Sequence, residues 1–367
     1  MANNLLAFLA LLKAGLWEQD VELRRYGSTD YSQILQLATE QSVIGLVASG
    51  LEHVTDVTVP QEDLLQFIGL TLQQEQQNKD MNEFVAWLIE KLRMADIYAL
   101  LVKGQGIAQC YEKPLWRACG DVDLLLSGDN YEKAKRFLIP LAETVEPESS
   151  YKKHLGLTIK GWMVELHGNL RSGLSKRVDR VLDKIQEKTY SWGSVISWDN
   201  NGVPVFMLSE ENNAIYVFSH ILDHFYKGGI GLRQICDWSR LLYTYRDSLN
   251  HRLLESQIRM MGVMDEWKAF GAMAVEYLGM PSEAMPFYDP RFSQKGVGVL
   301  KFVMEVGNFG HNRDTSYYNN RFLFIRKALS FKQRVGDLCR HASIFPMNSL
   351  RFFFGITWNG LKAVVER

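Results

Sequence analysis

Apolar residues recur at helical intervals through residues 3–97. Leu5, Leu6, Phe8, Leu9, Leu11 and Leu12 fit a helix, and residues 31–50 repeat apolar positions at steps of three and four. Pro60 suits the start of a long helix carrying Leu65, Phe67, Leu70 and Leu72, then Phe84, Trp87, Leu88 and Leu92. Between these two sets lies QQEQQNKDMN, residues 73–82, whose polarity predicts a solvated middle stretch. The helix as a whole is expected to lie against the sheet that follows it.

From residue 98 to about 187 the pattern becomes strand, helix, strand, helix, strand, strand, helix. Leu100, Leu101 and Val102 form a short apolar run that ends in Lys103-Gly104-Gln105-Gly106. Glycine there lets the backbone turn sharply and approach a ligand closely. Residues 121–126, DVDLLL, read as a second strand, and residues 129–139 as a helix with Asp129 as its cap. Residues 155–159 and 162–167 flank Lys160-Gly161, the pattern of a tight hairpin. Residues 203–208 read as a further strand, where Pro204 argues against a central position. Alternation of this length predicts a mixed sheet covered by helices, too short for a full doubly wound nucleotide domain. Ser209-Glu210-Glu211 then starts a helix, and helical stripes run to the C-terminus with a break at Gly228-Gly229. The expected fold class is α+β, with a small mixed-sheet core at 61–208 between a helical N-terminal region, 1–60, and a helical C-terminal domain, 209–367. Residues 352–358, FFFGITW, are expected to be packed helix rather than a surface anchor.

Chemistry concentrates in the middle of the chain. Asp121 and Asp123 are two apart on a strand and therefore share a face. Like charges held side by side are costly unless a cation lies between them. Carboxylate ligands call for a hard ion, and magnesium usually keeps one or two protein carboxylates plus substrate phosphates. Glu165 offers a third carboxylate on another strand, in which Met163, Glu165 and His167 share one face and Val164 and Leu166 the other. The amides of a helix starting at Gly104 would point at an anion in front of them.

Lys103-Gly104, Tyr111, Pro114, Arg117, Gly120-Asp121-Val122-Asp123-Leu124-Leu125 and Val164-Glu165-Leu166-His167 together resemble the nucleotidyltransferase superfamily. The resemblance is closest to a bacterial branch usually called the uncharacterised nucleotidyltransferase family, and it covers roughly residues 95–240. It implies a nucleotidyltransferase-like core, with Asp121, Asp123 and Glu165 as catalytic metal ligands and magnesium, or manganese in its place, as cofactor. It also implies a nucleoside triphosphate whose phosphates lie at the Gly104 turn, within reach of Lys103, Gln105 and Arg117. Two departures stand out: Lys103-Gly104-Gln105 replaces the usual Gly-Gly or Gly-Ser turn, and the spacer before the aspartates is longer.

Several residues carry more than one reading. Lys103 is a solvated strand end or a point charge on phosphate. Arg117 grips phosphate by two bonds or forms a structural salt bridge to the carboxylates. His167 orients an acceptor hydroxyl, joins the metal's outer shell, or is a hydrogen-bonded strand end. His220 and His224 stand four apart with Asp223 beside them, half of a zinc site. The intervening Ile221-Leu222-Asp223 lacks the glutamate of H-E-x-x-H, which argues against a zinc protease, and a core or cleft-lining role is expected. Asp237 reaches the cleft or bonds a neighbouring helix end. Arg334 and His341 have a spacing met in some helical RNases, read here as chance.

A chain of 367 residues is long enough for a substantial core and two or three units. With 41 basic and 42 acidic residues there is no global electrostatic signal for nucleic acid or anionic membrane. Cys110, Cys119, Cys236 and Cys339 are scattered, without paired zinc spacing, and are expected to be reduced thiols. The first residues lack a basic leader and cleavage site, and no apolar run reaches the roughly 20 residues of a membrane span, so a cytoplasmic protein is expected. The function that fits is transfer of a nucleoside monophosphate from a nucleoside triphosphate to an acceptor by a two-metal mechanism. The acceptor, whether small molecule, protein or RNA, is not readable. The alternatives are a metal-dependent glycosyltransferase using a nucleotide-sugar, and a catalytically inactive nucleotide-binding or scaffold member of the fold.

Overall fold

In a computed structural model, which describes residues 2–149, 153–307 and 335–365, helices precede and follow a five-stranded mixed sheet. The leading helices are α1 (Ala2–Trp17), α2 (Tyr31–Glu40), α3 (Ile44–Glu52) and α4 (Gln61–Met94). Asp30 caps α2 by accepting from the Gln33 amide, and Pro60 stands immediately before α4. The sheet is built from β1 (Ala99–Val102), β2 (Asp121–Leu126), β3 (Thr144–Val145), β4 (His154–Ile159) and β5 (Trp162–His167). Its spatial order is β1-β2-β5-β4-β3. The central pair, β2 and β5, is parallel, and the outer pairings are antiparallel.

The expected hairpin joins β4 to β5: Lys160 and Gly161 both take positive φ, 51° and 77°, as the twist of a two-residue turn requires. Between strands lie α5 (Gly104–Ala108), α6 (Gly128–Leu138) and α7 (Lys176–Trp192). Asp129 falls in the first turn of α6, one residue past its first position, rather than at the cap. A second hairpin, β6 (Val195–Asn200) and β7 (Val203–Leu208), forms its own two-stranded sheet, so Pro204 interrupts no central ladder. The C-terminal half contains α8 (Glu210–Lys227), α9 (Leu232–Thr244), α10 (His251–Met261), α11 (Met264–Leu278), α12 (Ser293–Val306) and a last helix, Pro346–Val365.

Both faces of the sheet are covered, which explains its continuous apolar runs. Val122, Leu124, Leu126, Val164 and Leu166 pack with Phe84 and Leu88 of α4 and with Tyr131 and Leu138 of α6. Leu100, Val102 and Leu125 face the other way and join a cluster shared by helices from both ends of the chain, including Phe8, Val47, Leu182, Phe218 and Phe270. The first and last helical regions therefore meet in one core: the Trp17 indole donates to the Leu278 carbonyl at 2.5 Å. The tail packs as helix, with Phe352 buried against Tyr226 at 4.8 Å between ring centroids. Among the described residues no helix is long and apolar enough to cross a membrane.

The polar stretch of α4 corrects the reading of the sequence. One of its faces is solvated, but Gln74, Glu75 and Asn78 turn inward and hold the loop that leads to β2. Asn78, 1% exposed, donates to the Leu115 and Arg117 carbonyls at 2.7 and 2.8 Å. Gln74 donates to the Trp116 carbonyl, and Glu75 accepts from the Trp116 indole at 2.8 Å. Buried carbonyls need donors, and amides on a neighbouring helix supply them. Arg334 lies outside the described residues; His341 is buried and packs on Phe225 and Phe302.

Candidate active site

Register places the acids. Asp123 pairs directly with Glu165 across the parallel β2–β5 ladder, and Asp121 lies two residues earlier on the same face. One carboxylate oxygen from each of Asp121, Asp123 and Glu165 falls within 4.8 Å of the other two. Three hard oxygen donors from adjoining strands fit a divalent ion of the magnesium type.

Lys103 enters the same cluster because the backbone at the end of β1 is forced round: Lys103 has φ 60° and Gly104 φ 45°. A positive φ is costly for a lysine and easy for the glycine after it, so the turn holds local strain. Its result is an ion pair, Lys103 Nζ to Asp123 Oδ1 at 2.6 Å, with Asp123 only 2% exposed. Burial alone would lower the Lys103 pKa. Asp123 outweighs it, helped by Asp121 and Glu165, and the ammonium is held charged well above its usual range.

Burial and the neighbouring Asp123 push the Asp121 carboxyl upward, against the opposing pull of Lys103. Glu165 moves the other way. Burial would raise it, but hydrogen bonds from His154 and His167 and the charge of Lys103 hold it well below the ordinary carboxylate range. His167 Nε2 lies 2.7 Å from Asp123 Oδ1 and 3.4 Å from Glu165 Oε2, and His154 Nε2 lies 3.0 Å from Glu165 Oε2. Burial would lower the His167 pKa, and its two acidic partners raise it instead.

Opposite the sheet, α8 and α9 close a cleft of about 300 Å³. Arg117 is clamped there by Asp237 in two bonds, Nε to Oδ1 at 2.9 Å and Nη2 to Oδ2 at 2.5 Å. The Tyr111 hydroxyl donates to the same carboxylate at 2.7 Å. Of the two readings of Arg117, the structural pair is present, but its partner is Asp237 rather than the metal-facing carboxylates. Arg233 stands beside it, with Nη1 donating to the Ala118 carbonyl at 3.0 Å and Nε buried without a hydrogen-bond partner. Burial, then the adjacent Arg117, depress its pKa, while Asp237, Cys119 and Asp121 oppose them.

The cleft gathers nearly every residue singled out in the sequence: Lys103, Gly104, Arg117, Asp121, Asp123, Glu165, His167, His220, His224 and Asp237 all line it. Gln105 does not. Its side chain, 1% exposed, turns into the protein and donates to the Asn78 side-chain oxygen of α4 at 3.2 Å, so its expected contact with nucleotide is replaced by a contact that holds α5 to α4. α5 itself spans five residues, Gly104–Ala108, and begins at the turn made by Lys103 and Gly104. Sequence reasoning passed over His154, Tyr216 and Arg233, which also line the cleft, as does Asp223 beside the two histidines of α8. The register of the hairpin about Lys160-Gly161, which puts His154 opposite His167, is the signal that could have found His154.

A family model described as uncharacterised nucleotidyltransferase matches residues 27–279. No curated protein and no solved structure matches the chain.

Proposed function

The chain belongs to the uncharacterised nucleotidyltransferase family, and from that premise we propose that it moves a nucleoside monophosphate from a nucleoside triphosphate to an acceptor hydroxyl. In that reaction the acceptor oxygen forms a bond to the α-phosphorus, the bond from that phosphorus to the β-phosphate oxygen breaks, and pyrophosphate leaves. The observation that carries the proposal is the meeting of Asp121, Asp123 and Glu165 in a cleft whose opposite wall presents Arg233.

Asp121, Asp123 and Glu165 would hold magnesium, which would supply charge neutralisation at the α-phosphate and a lowered pKa for the acceptor hydroxyl. The remaining work falls to the chain itself. His154 and His167 keep Glu165 ionised by donating hydrogen bonds to it, so it is ready as a ligand at neutral pH. Lys103, held charged by the acids around it, would meet a phosphate oxygen from its place beside Asp123. Arg233 offers its unsatisfied Nε to a phosphate oxygen. His220, Asp223 and His224, on the α8 wall, face the acceptor.

Calorimetry with ATP, GTP, CTP and UTP in magnesium tests this. At least one triphosphate should bind the natural protein, and the Asp121→Ala plus Asp123→Ala variant should lose that binding by about 100-fold or more. Equal affinity in the two proteins would remove the metal site from the reading. Magnesium-dependent binding with no pyrophosphate release, over a panel of hydroxylated small molecules, proteins and RNA ends, would favour the inactive scaffold.

A further inference from the structure

We propose that the cleft contains a second, nitrogen-bearing metal site, formed by His154, Glu165 and His167, which takes a divalent first-row transition ion in preference to magnesium. The three side chains share one face of the sheet for reasons of register. His154 and His167 are direct antiparallel partners on β4 and β5, and Glu165 lies two residues before His167. One ligand atom from each lies within 4.8 Å of the other two.

The spacing suits a coordination sphere. Two ligands each about 2.1 Å from one ion stand about 3.0 Å apart at a right angle and about 3.4 Å apart at a tetrahedral angle. Without an ion these contacts are hydrogen bonds, His154 Nε2 at 3.0 Å and His167 Nε2 at 3.4 Å from Glu165 Oε2; an incoming ion would displace the Nε2 proton of each ring and take the freed lone pair. The imidazole rings lie 4.8 Å apart, tilted by 48°, with the Nε2 of each beside the same carboxylate oxygen. Two of the three donors are nitrogen. Magnesium seeks an all-oxygen octahedron, whereas imidazole suits zinc, cobalt and other later first-row ions.

Glu165 belongs to this set and to the oxygen-only set with Asp121 and Asp123. A carboxylate shared between two sets is the arrangement of dinuclear sites whose ions sit about 3.5–4 Å apart. One cleft would then hold a hard ion on the β2 side and a softer ion on the β4 side. The inference needs only the sheet and its side chains, and it stands whether or not the chain transfers nucleotides.

The experiment uses the full chain, freed of metal with a chelator and kept without nucleotide. Cobalt is the probe, because its visible absorption strengthens when nitrogen ligands and low coordination number replace a water octahedron, and zinc then competes for it. The natural protein should bind cobalt at least about tenfold more tightly than magnesium, with an intense visible band that zinc abolishes. His154→Ala and His154→Gln should each weaken cobalt binding by about 10–100-fold and lose the band. His251→Ala, which removes a histidine outside the cleft, should keep cobalt affinity within about twofold, and Asp121→Ala should leave the visible band in place, because Asp121 belongs to the oxygen-only set. Circular dichroism melts confirm that each variant is folded. Absence of cobalt binding, or undiminished binding in a folded His154 variant, overturns the proposal. So does loss of cobalt in Asp121→Ala with retention in His154→Ala. Triphosphate binding, measured separately, leaves the two proposals independently testable.

Discussion

Two buried charge clusters face each other across the cleft, and they are balanced in different ways. On the α9 side, Arg117 meets Asp237 one to one through two bonds, with the Tyr111 hydroxyl filling out the carboxylate. On the sheet side, three carboxylates gather around one ammonium, Lys103, which pairs with Asp123, and His154 and His167 are added donors. The first arrangement leaves little charge for anything else. The second is organised by the fold yet retains negative charge at a solvent-reachable cleft. A matched pair fixes a wall, and an excess of one sign is what a cationic ligand requires.

Substitutions can separate the two. Arg117→Ala should have the largest effect, about 3–5 kcal/mol of stability, because it strands the Asp237 carboxylate at 3% exposure. Urea unfolding measures this, and a loss below about 1 kcal/mol would erase the distinction. Asp121→Ala should behave oppositely. Burial and Asp123 already work against its charge, so stability should hold or rise by up to about 1 kcal/mol while magnesium-dependent triphosphate binding falls by about 100-fold. Melting and calorimetry on the same sample read both effects.

Asn78→Ala tests how the loop between the clusters is held. Removing its two donated bonds leaves the Leu115 and Arg117 carbonyls short of a partner, at a cost of about 1–3 kcal/mol by urea unfolding. Wild-type stability in this variant would show that the Gln74 and Glu75 contacts suffice.

The smallest effect extends the comparison to a third buried acid. Glu266 is fully buried and accepts from the neutral donors Tyr226, at 2.9 Å, and Asn348, at 2.8 Å. Burial raises its pKa above the ordinary value of 4.5, more than these hydrogen bonds lower it. The folded state therefore holds this proton more tightly than the unfolded chain does. The associated stability is complete below the unfolded pKa and drains away as the pH rises through the folded one. Glu266→Gln should flatten that part of the stability–pH curve, and an unchanged slope would exclude Glu266 as its source.

These contrasts explain what could be read along the chain and what could not. The Asp121–Asp123 spacing, the Lys160-Gly161 turn and the facing of Glu165 with His167 are local consequences of a two-residue period, so the acid cluster was legible. Asp237 lies 120 residues from Arg117, and nothing in either neighbourhood marks the pairing. Arg233 carries no motif, and His154 acquires meaning only from the register that puts it opposite His167. Residues 73–82 failed as a guide for another reason. Polarity at helical spacing says that a face will be hydrogen-bonded, but not whether water or a loop's carbonyls will do the bonding. Gln105 sits where α5 packs on α4, so tertiary contact decided its direction.

The joining of α1 to α11 bears on how the polypeptide reaches its native state. Trp17 finds the Leu278 carbonyl 261 positions downstream, which means that a strongly apolar helix made early in synthesis waits for its neighbour until most of the chain has left the ribosome. During that interval Phe8, Leu11 and Leu12 lack part of their eventual cover, and shielding by chaperones is what such a delay calls for.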